Sequence, residues 1–560
     1  MPPLKTCRTC AKGKIRCHKT QDSGACDRCA RLGKTCVFAD SRRHTARGPD
    51  TAAGLLSPTP ALPSPARTQS DAPCAGTPAL ISPNPHDPFS RGLLDEEGAQ
   101  RLMLRFRSTM TPRFPFVVLP DPGNASNAEA ALQMLRQERP CLCLAVFAAS
   151  AFDDFTLQRE LGRLFNEMLA SLLTTSKLRT LDALQGLLVH LAWAHYHPRP
   201  RSYTQQLHLA ISIVSDMRLD RPRNPQLWKV NQEPEVADHS SWGREELRAL
   251  AGVYYLASSS SITLQKLRAF PFTPFIRESC ETLALQGDAP GDKHIRLIIQ
   301  TQRLAEELDD LVHAMSAGQG LPDGSMPGLG VDDIRHRMDA LKLNMDFPLA
   351  ECPMLLLQLG MLELVISQQS LPGFPLSSKT ETELQISEVF SESALASRSL
   401  LDIIITRTPG HEKALTNIEW ISMSYALSFS ARLDLLTTNH RMAHLTQQAR
   451  RCLDFRHTLR QVILKLKGMV LPGVDHRGDH DTFTHFLKRA EIVQMWYSSQ
   501  VESLPSSRGA TPSIQGTVVA EFSEVAREEL NESTDLFVAD FFAELQGVPP
   551  WDDFGLSWGN

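Results

Sequence analysis

The sequence predicts an all-α protein with a small cysteine-held module at its N-terminus and a charged tail at its C-terminus, on three observations. Apolar residues repeat at helical spacing from about Leu93 to Gln500, no period-two run of convincing length interrupts them, and six of the twelve cysteines crowd into the first 36 residues. At 560 residues, 42% hydrophobic and 22% charged, the chain can bury a large core and is neither collagen-like nor wholly disordered. At about 150 residues per domain it holds roughly three to four units. The formal charge of −5 hides an asymmetry. Residues 1–50 carry twelve Lys and Arg against four Asp, a formal +8, and residues 517–560 carry ten acids against one Arg, a formal −9, which leaves the middle at −4. A basic end points to nucleic acid and an acidic end to a different partner.

Residues 1–40 have almost no apolar content beyond Leu4, Ile15, Leu32, Val37 and Phe38, so this segment cannot fold on a hydrophobic core. Its cysteines, Cys7, Cys10, Cys17, Cys26, Cys29 and Cys36, read Cys-x2-Cys-x6-Cys-x8-Cys-x2-Cys-x6-Cys, two copies of one half-motif. Cys-x2-Cys lets two sulfurs from one tight turn grip a single zinc ion, and zinc takes four ligands. Two separate sites would need eight sulfurs. Six satisfy two Zn2+ ions only if two cysteines bridge, and the symmetry nominates the first of each half, Cys7 and Cys26. Six thiolates and two Zn2+ sum to −2, so residues 1–50 keep a charge of about +6 with the cluster formed. The alternatives are a disulfide framework, a single four-cysteine zinc site with spare thiols, or chance; two identical half-motifs in register argue strongly against chance. The N-terminus MPPLKTCRTCAKGK has no apolar leader, which argues against secretion and for an intracellular protein with reduced thiols.

Residues 41–92 turn to Pro, Ala, Ser and Thr, with ten of the 37 prolines between Pro49 and Pro88, the composition of a semi-extended disordered linker. Residues 93–500 form the helical domain. In the run from Leu297, the residues Leu297, Thr301, Leu304, Leu308, Leu311 and Met315 alternate steps of four and three, with Glu306, Glu307, Asp309 and Asp310 between them, which predicts one buried stripe and one acidic face. LQRELGRLFNEMLASLL, LHLAISIVSDM, REELRALAGVYYL, LASRSLLDIII and LRQVILKLKGM repeat the pattern. Breakers near Pro198, Pro222, Pro322 and Pro372 divide them, giving a dozen or more helices. FPFVVLP at Phe114 is the one candidate strand. No repeat of fixed length indicates a solenoid. Residues 501–516 are a second linker. In 517–560 seven aromatics interleave with ten acids, the composition of an acidic activation segment held hydrated until a partner groove takes its rings. The alternatives are a last helix docking through Leu536, Phe537, Phe541 and Leu545, or a tail that masks the basic module.

The stretch CRTCAKGKIRCHKTQDSGACDRCARLGKTC, Cys7 to Cys36, resembles the fungal Zn2Cys6 binuclear-cluster transcription regulators. The resemblance implies a zinc-dependent DNA-binding activator of RNA polymerase II genes in the nucleus, with double-stranded DNA as partner and a CGG-like triplet as target. A short helix after the second cysteine would enter the major groove, with Lys14 on the guanines and Lys12 and Arg16 beside it. A lysine ammonium can donate to guanine O6 and N7. Arg8, Lys19, Arg28, Arg31 and Lys34 would position the phosphate backbone or simply be solvated. Gly13 stands where the family usually has a second basic residue, which puts a plain CGG site in question; the loop from His18 to Ala25 lacks a common proline, which Gly24 can replace in turning the chain. His18 reads as a phosphate neighbour or solvated, because six sulfurs already close both shells. Arg42, Arg43 and Arg47 suit an import signal or a phosphate-hugging arm. No heptads follow the module, so the protein binds as a monomer, or as a homodimer through the helical domain, for instance by the Leu304 stripe, though a helix stripe in a large domain is more often core. The middle resembles the helical regulatory region of such regulators, through phrases like LHLAISIVSDMRLDRPR, and FPFVVLP is similar to regulators of biosynthetic gene clusters. The acidic tail would recruit a coactivator.

Weaker signals lie in the middle. His476, Asp479, His480, Asp481 and His485 have spacings a metal site can use but read better as a hydrated loop. His190, His195 and His197 read as packing and capping, and Cys141 and Cys143 as small core residues. No P-loop, G-x-G-x-x-G, H-E-x-x-H or G-x-S-x-G occurs, so the protein is not read as an enzyme; an enzyme with an appended zinc module and a zinc-cluster adaptor for proteins are the rival classes. MLLLQLGMLELVI from Met354 is broken by Gln358 and Glu363 and is too short to span a membrane.

Overall fold

The computed structural model describes residues 7, 10, 17–18, 26–36, 85–121, 123, 125–197, 203–222, 242–263, 268–316, 327–369, 371, 383–437, 446–475 and 477–503. Residues 41–84 of the linker, 504–516 of the second linker and the whole acidic tail lie outside them. The chain divides into two units, Met1–Leu80 and Ile81–Asn560.

In the first unit, α1 (Asp27–Arg31) begins directly after Cys26, which is extended at φ −74° and ψ 153°. Its end is dictated by Gly33. That residue sits at φ +60°, in the left-handed region open to glycine. The Gly33 amide donates to the Ala30 carbonyl and the Lys34 amide to the Cys29 carbonyl. This pair of bonds is the Schellman closure of a helix, and it turns the chain so that Cys36 comes back beside Cys26.

The second unit is helical, and among the described residues no strand occurs. Its helices are α2 (Glu96–Arg105), α3 (Ala125–Glu138), α4 (Pro140–Ser150), α5 (Phe155–Thr174), α6 (Leu181–Ala192), α7 (Tyr203–Met217) and α8 (Arg244–Thr263). There follow α9 (Pro274–Gln286), α10 (Asp292–Ser316), α11 (Pro327–Leu343), α12 (Pro353–Gln369), α13 (Glu383–Ile405) and α14 (Asn417–Thr437). The last are α15 (Gln447–Leu453), α16 (Phe455–Met469) and α17 (Thr482–Ser503). No helix among the described residues is long and apolar enough to cross a membrane.

The centre of the first half is α4, PCLCLAVFAAS, apolar on every side and buried from Cys141 to Ser150. Such a helix has to be enclosed by others, and α5 and α6 enclose it. Asp182 of α6 caps α4, its carboxylate accepting the Cys141 and Leu142 amides at 3.1 and 2.8 Å. Gly186 allows the close crossing, since a methyl group there would stand 2.9 Å from the Cys141 sulfur. Cys141 and Cys143 are core residues, as expected. Packing begins before α2: Phe89, in the stretch assigned by composition to the linker, meets Phe147 edge-on at 6.2 Å, under the Arg136 guanidinium at 3.7 Å.

The stripe on α10 is buried at Leu297, Thr301, Leu304, Leu308 and Leu311. It belongs to the core of this chain, as the buried-stripe reading expects, and is not available as a dimer seam. The acidic face is also corrected at one position, because Glu306 is only 1% exposed. Its carboxylate accepts from Ser258 of α8 at 2.5 Å and pairs with Arg303. The reason lies in α8, buried on all sides from Leu247 to Ser261, whose serines need hydrogen-bond partners inside. Gln302 of α10 supplies another, donating to Ser258 at 3.0 Å.

FPFVVLP is not a strand. It runs as a buried turn, with Phe114 and Phe116 edge-to-face at 5.1 Å and Phe116 stacked on Tyr255 at 5.5 Å. The preceding Arg113 forms a buried ion pair with Glu419 of α14, and the Trp193 indole donates to the Ala414 carbonyl at 3.1 Å. These contacts join the first half of the helical unit to the second.

Candidate metal centre and nucleic-acid interface

Each half of the motif places one sulfur where a backbone amide can reach it. The Cys10 amide donates to the Cys7 sulfur at 3.4 Å, and the Cys26 amide to the Cys36 sulfur at 3.2 Å. These bonds favour thiolates. Cys7 is held below the usual thiol range, chiefly by the Cys10 amide, and Cys26 is drawn down to about 6, chiefly by the Cys29 amide at the start of α1. Burial pushes Cys10 and Cys29 up. A cluster of bare sulfurs cannot ionise throughout, and a divalent cation among them removes that penalty.

The sulfurs form two groups of four, each within 4.8 Å: Cys7, Cys10, Cys17 and Cys26, and Cys7, Cys26, Cys29 and Cys36. The two residues common to both groups are Cys7 and Cys26. Cys7 lies 3.8 Å from both Cys26 and Cys29, and Cys10 lies 3.7 Å from Cys26, sulfur to sulfur. Zinc–sulfur bonds of about 2.3 Å set the edge of a tetrahedron at about 3.8 Å. The residues therefore fit two four-coordinate ions sharing a pair of thiolates. A disulfide needs about 2.05 Å, and all six cysteines are free. Cys7, Cys10, Cys26 and Cys29 are buried, and Cys17 and Cys36 are half-buried; among the described residues of this unit the sulfurs themselves are the core.

Lys14, Lys12, Arg16, Arg8 and Lys19 lie outside the described residues. Among the cations that are described, Arg28 is half-buried and Arg31 and Lys34 are exposed on and after α1. His18 is exposed, and its carbonyl accepts the Asp27 amide at 3.1 Å. What the spacing did not foretell is how Cys36 returns; the Gly33-Lys34 pair three residues before it was the available signal.

The other candidates do not gather. No histidine or carboxylate joins a metal-holding group among the described residues, where the cysteines stand alone. Asp475 accepts the Arg477 and Asp479 amides and pairs with Arg159 at 2.5 Å, and Asp481 accepts the Leu471 and Phe483 amides. Their carboxylates close the loop. Asp479 and His480 give it their carbonyls as acceptors for Arg159; His476 lies outside the described residues. His190 stacks on His197 at 3.9 Å and on Phe165 at 4.5 Å, and no ring nitrogen of His195 has a partner. These rings pack and do not ligate.

A cysteine cluster shared around two sulfurs narrows the comparisons that matter. The chain is 33% identical over 520 residues to transcription factor himD of Aspergillus japonicus, covering 89% of this chain and 84% of that protein. The chain belongs to the fungal transcription factors. Its cysteine cluster fits the Zn2Cys6 module of such regulators. It is also 22% identical over 471 residues to transcription factor opdL of Penicillium oxalicum, across 78% of this chain and 79% of the relative. With transcription factor pbcR of Emericella nidulans it shares 24% identity over 364 residues, 54% of this chain and 48% of that one. No protein-family model matches the sequence. This fungal transcription factor is accordingly a regulator of transcription and not an enzyme.

Proposed function

We propose that the protein is a zinc-dependent, sequence-specific DNA-binding activator of RNA polymerase II genes, working in the nucleus and serving a biosynthetic gene cluster. The observation that carries the reading is the pair of four-sulfur groups sharing Cys7 and Cys26, at the head of a chain whose relatives are transcription factors. Two zinc ions replace the missing core of residues 1–40, and residues 1–50 keep a charge of about +6 for phosphates. Lys14 donates to guanine edges in a CGG-like triplet, Lys12 and Arg16 flank it, and Arg8 and Lys19 hold the backbone. Residues 41–92 tether this module to the regulatory domain at 93–500. The segment at 517–560, reached through 501–516, recruits a coactivator.

Selection of bound sequences from a random DNA pool with the full-length chain tests the proposal. It predicts one enriched triplet, or two at fixed separation for a homodimer, and affinity that falls steeply between about 50 and 200 mM salt. No enrichment and a flat salt response would leave a protein-binding adaptor instead. Deleting residues 517–560 should abolish reporter activation without loss of DNA affinity; retained activation would remove the tail from its role.

A further inference from the structure

The helical unit carries an arginine-rich cavity that no part of the foregoing uses. It measures about 810 Å3 and lies where α14, α15, α16 and α17 meet. Phe455 and Tyr497 form its aromatic wall, edge to face at 4.9 Å, with Phe455 almost wholly buried. Arg450, Arg451 and Arg456 rise around it and are exposed. The Asp434 carboxylate is already taken by the Tyr497 hydroxyl. The guanidinium groups of Arg450 and Arg451 have no carboxylate and no hydrogen-bond partner among the described residues. Residues 447–469 hold six Lys and Arg against one Asp, a formal +5, within a middle region of formal charge −4.

We propose that this cavity is the docking site of the chain's own acidic tail, residues 517–560. Three observations select that occupant. The tail carries a formal −9 with seven aromatic side chains, so it offers both carboxylates for the guanidiniums of Arg450 and Arg451, which have no partner among the described residues, and rings for the Phe455 and Tyr497 wall. Tyr497 lies six residues before the end of α17 at Ser503, about 9 Å along the helix. The thirteen residues 504–516 then span at most about 45 Å, so a tail tethered at Ser503 can reach the cavity, at a local concentration on the order of millimolar. A small organic anion is a poorer match, because ligand pockets enclose most of what they bind and these arginines stand in solvent. The inference concerns where the tail sits, and holds whether or not the tail also meets a coactivator.

The test is photo-crosslinking in the full-length chain from a benzophenone side chain placed at Gln447, on the rim. The expected result is intramolecular crosslinking to peptides of 517–560, at a yield independent of protein concentration. The yield should fall about tenfold or more in Arg450→Glu with Arg451→Glu, and likewise at high salt. Arg450→Gln with Arg451→Gln removes the charge without repulsion and serves if the reversal fails to fold, as judged by circular dichroism. Crosslinks that avoid 517–560, tail crosslinks that grow with protein concentration and so come from a second copy, or a yield unchanged in the folded variants would each overturn the proposal.

Discussion

Lys14 is the side chain on which base reading turns in the proposed complex, and its loss has a signature distinct from that of a phosphate contact. Lys14→Ala should weaken the selected site by about 1–3 kcal/mol and flatten the preference between sites, measured by titration on matched and mismatched duplexes. Equal losses on every sequence would place it on phosphate. A second residue-scale effect belongs to the buried imidazoles. Burial holds His195 down to about 3 and His197 to about 4, against an ordinary value near 6.5, and holds His190 well down too. A folded-state value below the unfolded one means that the unfolded chain takes up protons first as pH falls. Their stabilising contribution is therefore complete above pH 6.5 and drains away towards pH 4. At pH 5.5 each ring should cost about 1.4 kcal/mol, so the denaturant midpoint of the helical unit should drop between pH 7.5 and 5.5; a midpoint constant over that range would contradict this account of the rings.

At the scale of elements, periodicity revealed which faces are greasy but not which polar residues lie inside. The α10 stripe was legible because Leu297, Leu304, Leu308 and Leu311 keep helical spacing. Glu306 was not, because its burial depends on Ser258 across the interface with α8, a pairing of residues 48 apart. The turn at Phe114 was misread for a related reason: a short apolar run becomes a strand only beside another strand, and this one meets Tyr255 of α8 and Trp193 at the end of α6. Leu304→Ala should cost about 2–5 kcal/mol of stability in chemical denaturation, with the oligomeric state unchanged by light scattering. A change of oligomer with little loss of stability would return that stripe to an interface. In the first unit, Gly33→Ala should cost about 1 kcal/mol through the left-handed backbone and lower zinc affinity by misplacing Cys36; unaltered affinity would show that the turn does not govern the return of the chain.

Over the whole molecule, the cysteine pattern was the most legible feature, since ligand count and symmetry alone nominated Cys7 and Cys26, the two residues the folded chain places in both sulfur groups. The arginine cavity was not legible, because Arg450, Arg451, Arg456 and Tyr497 converge only through the packing of α15, α16 and α17. The central claim is that two metal ions stand in for a hydrophobic core in the N-terminal unit. Metal analysis of the purified full-length chain, with circular dichroism and DNA binding followed through chelation, tests it most directly. The account predicts two equivalents of zinc per chain, and loss of the unit's structure and DNA binding together on chelation while the helical unit persists. A single equivalent, or a cysteine unit that stays folded without metal, would contradict it.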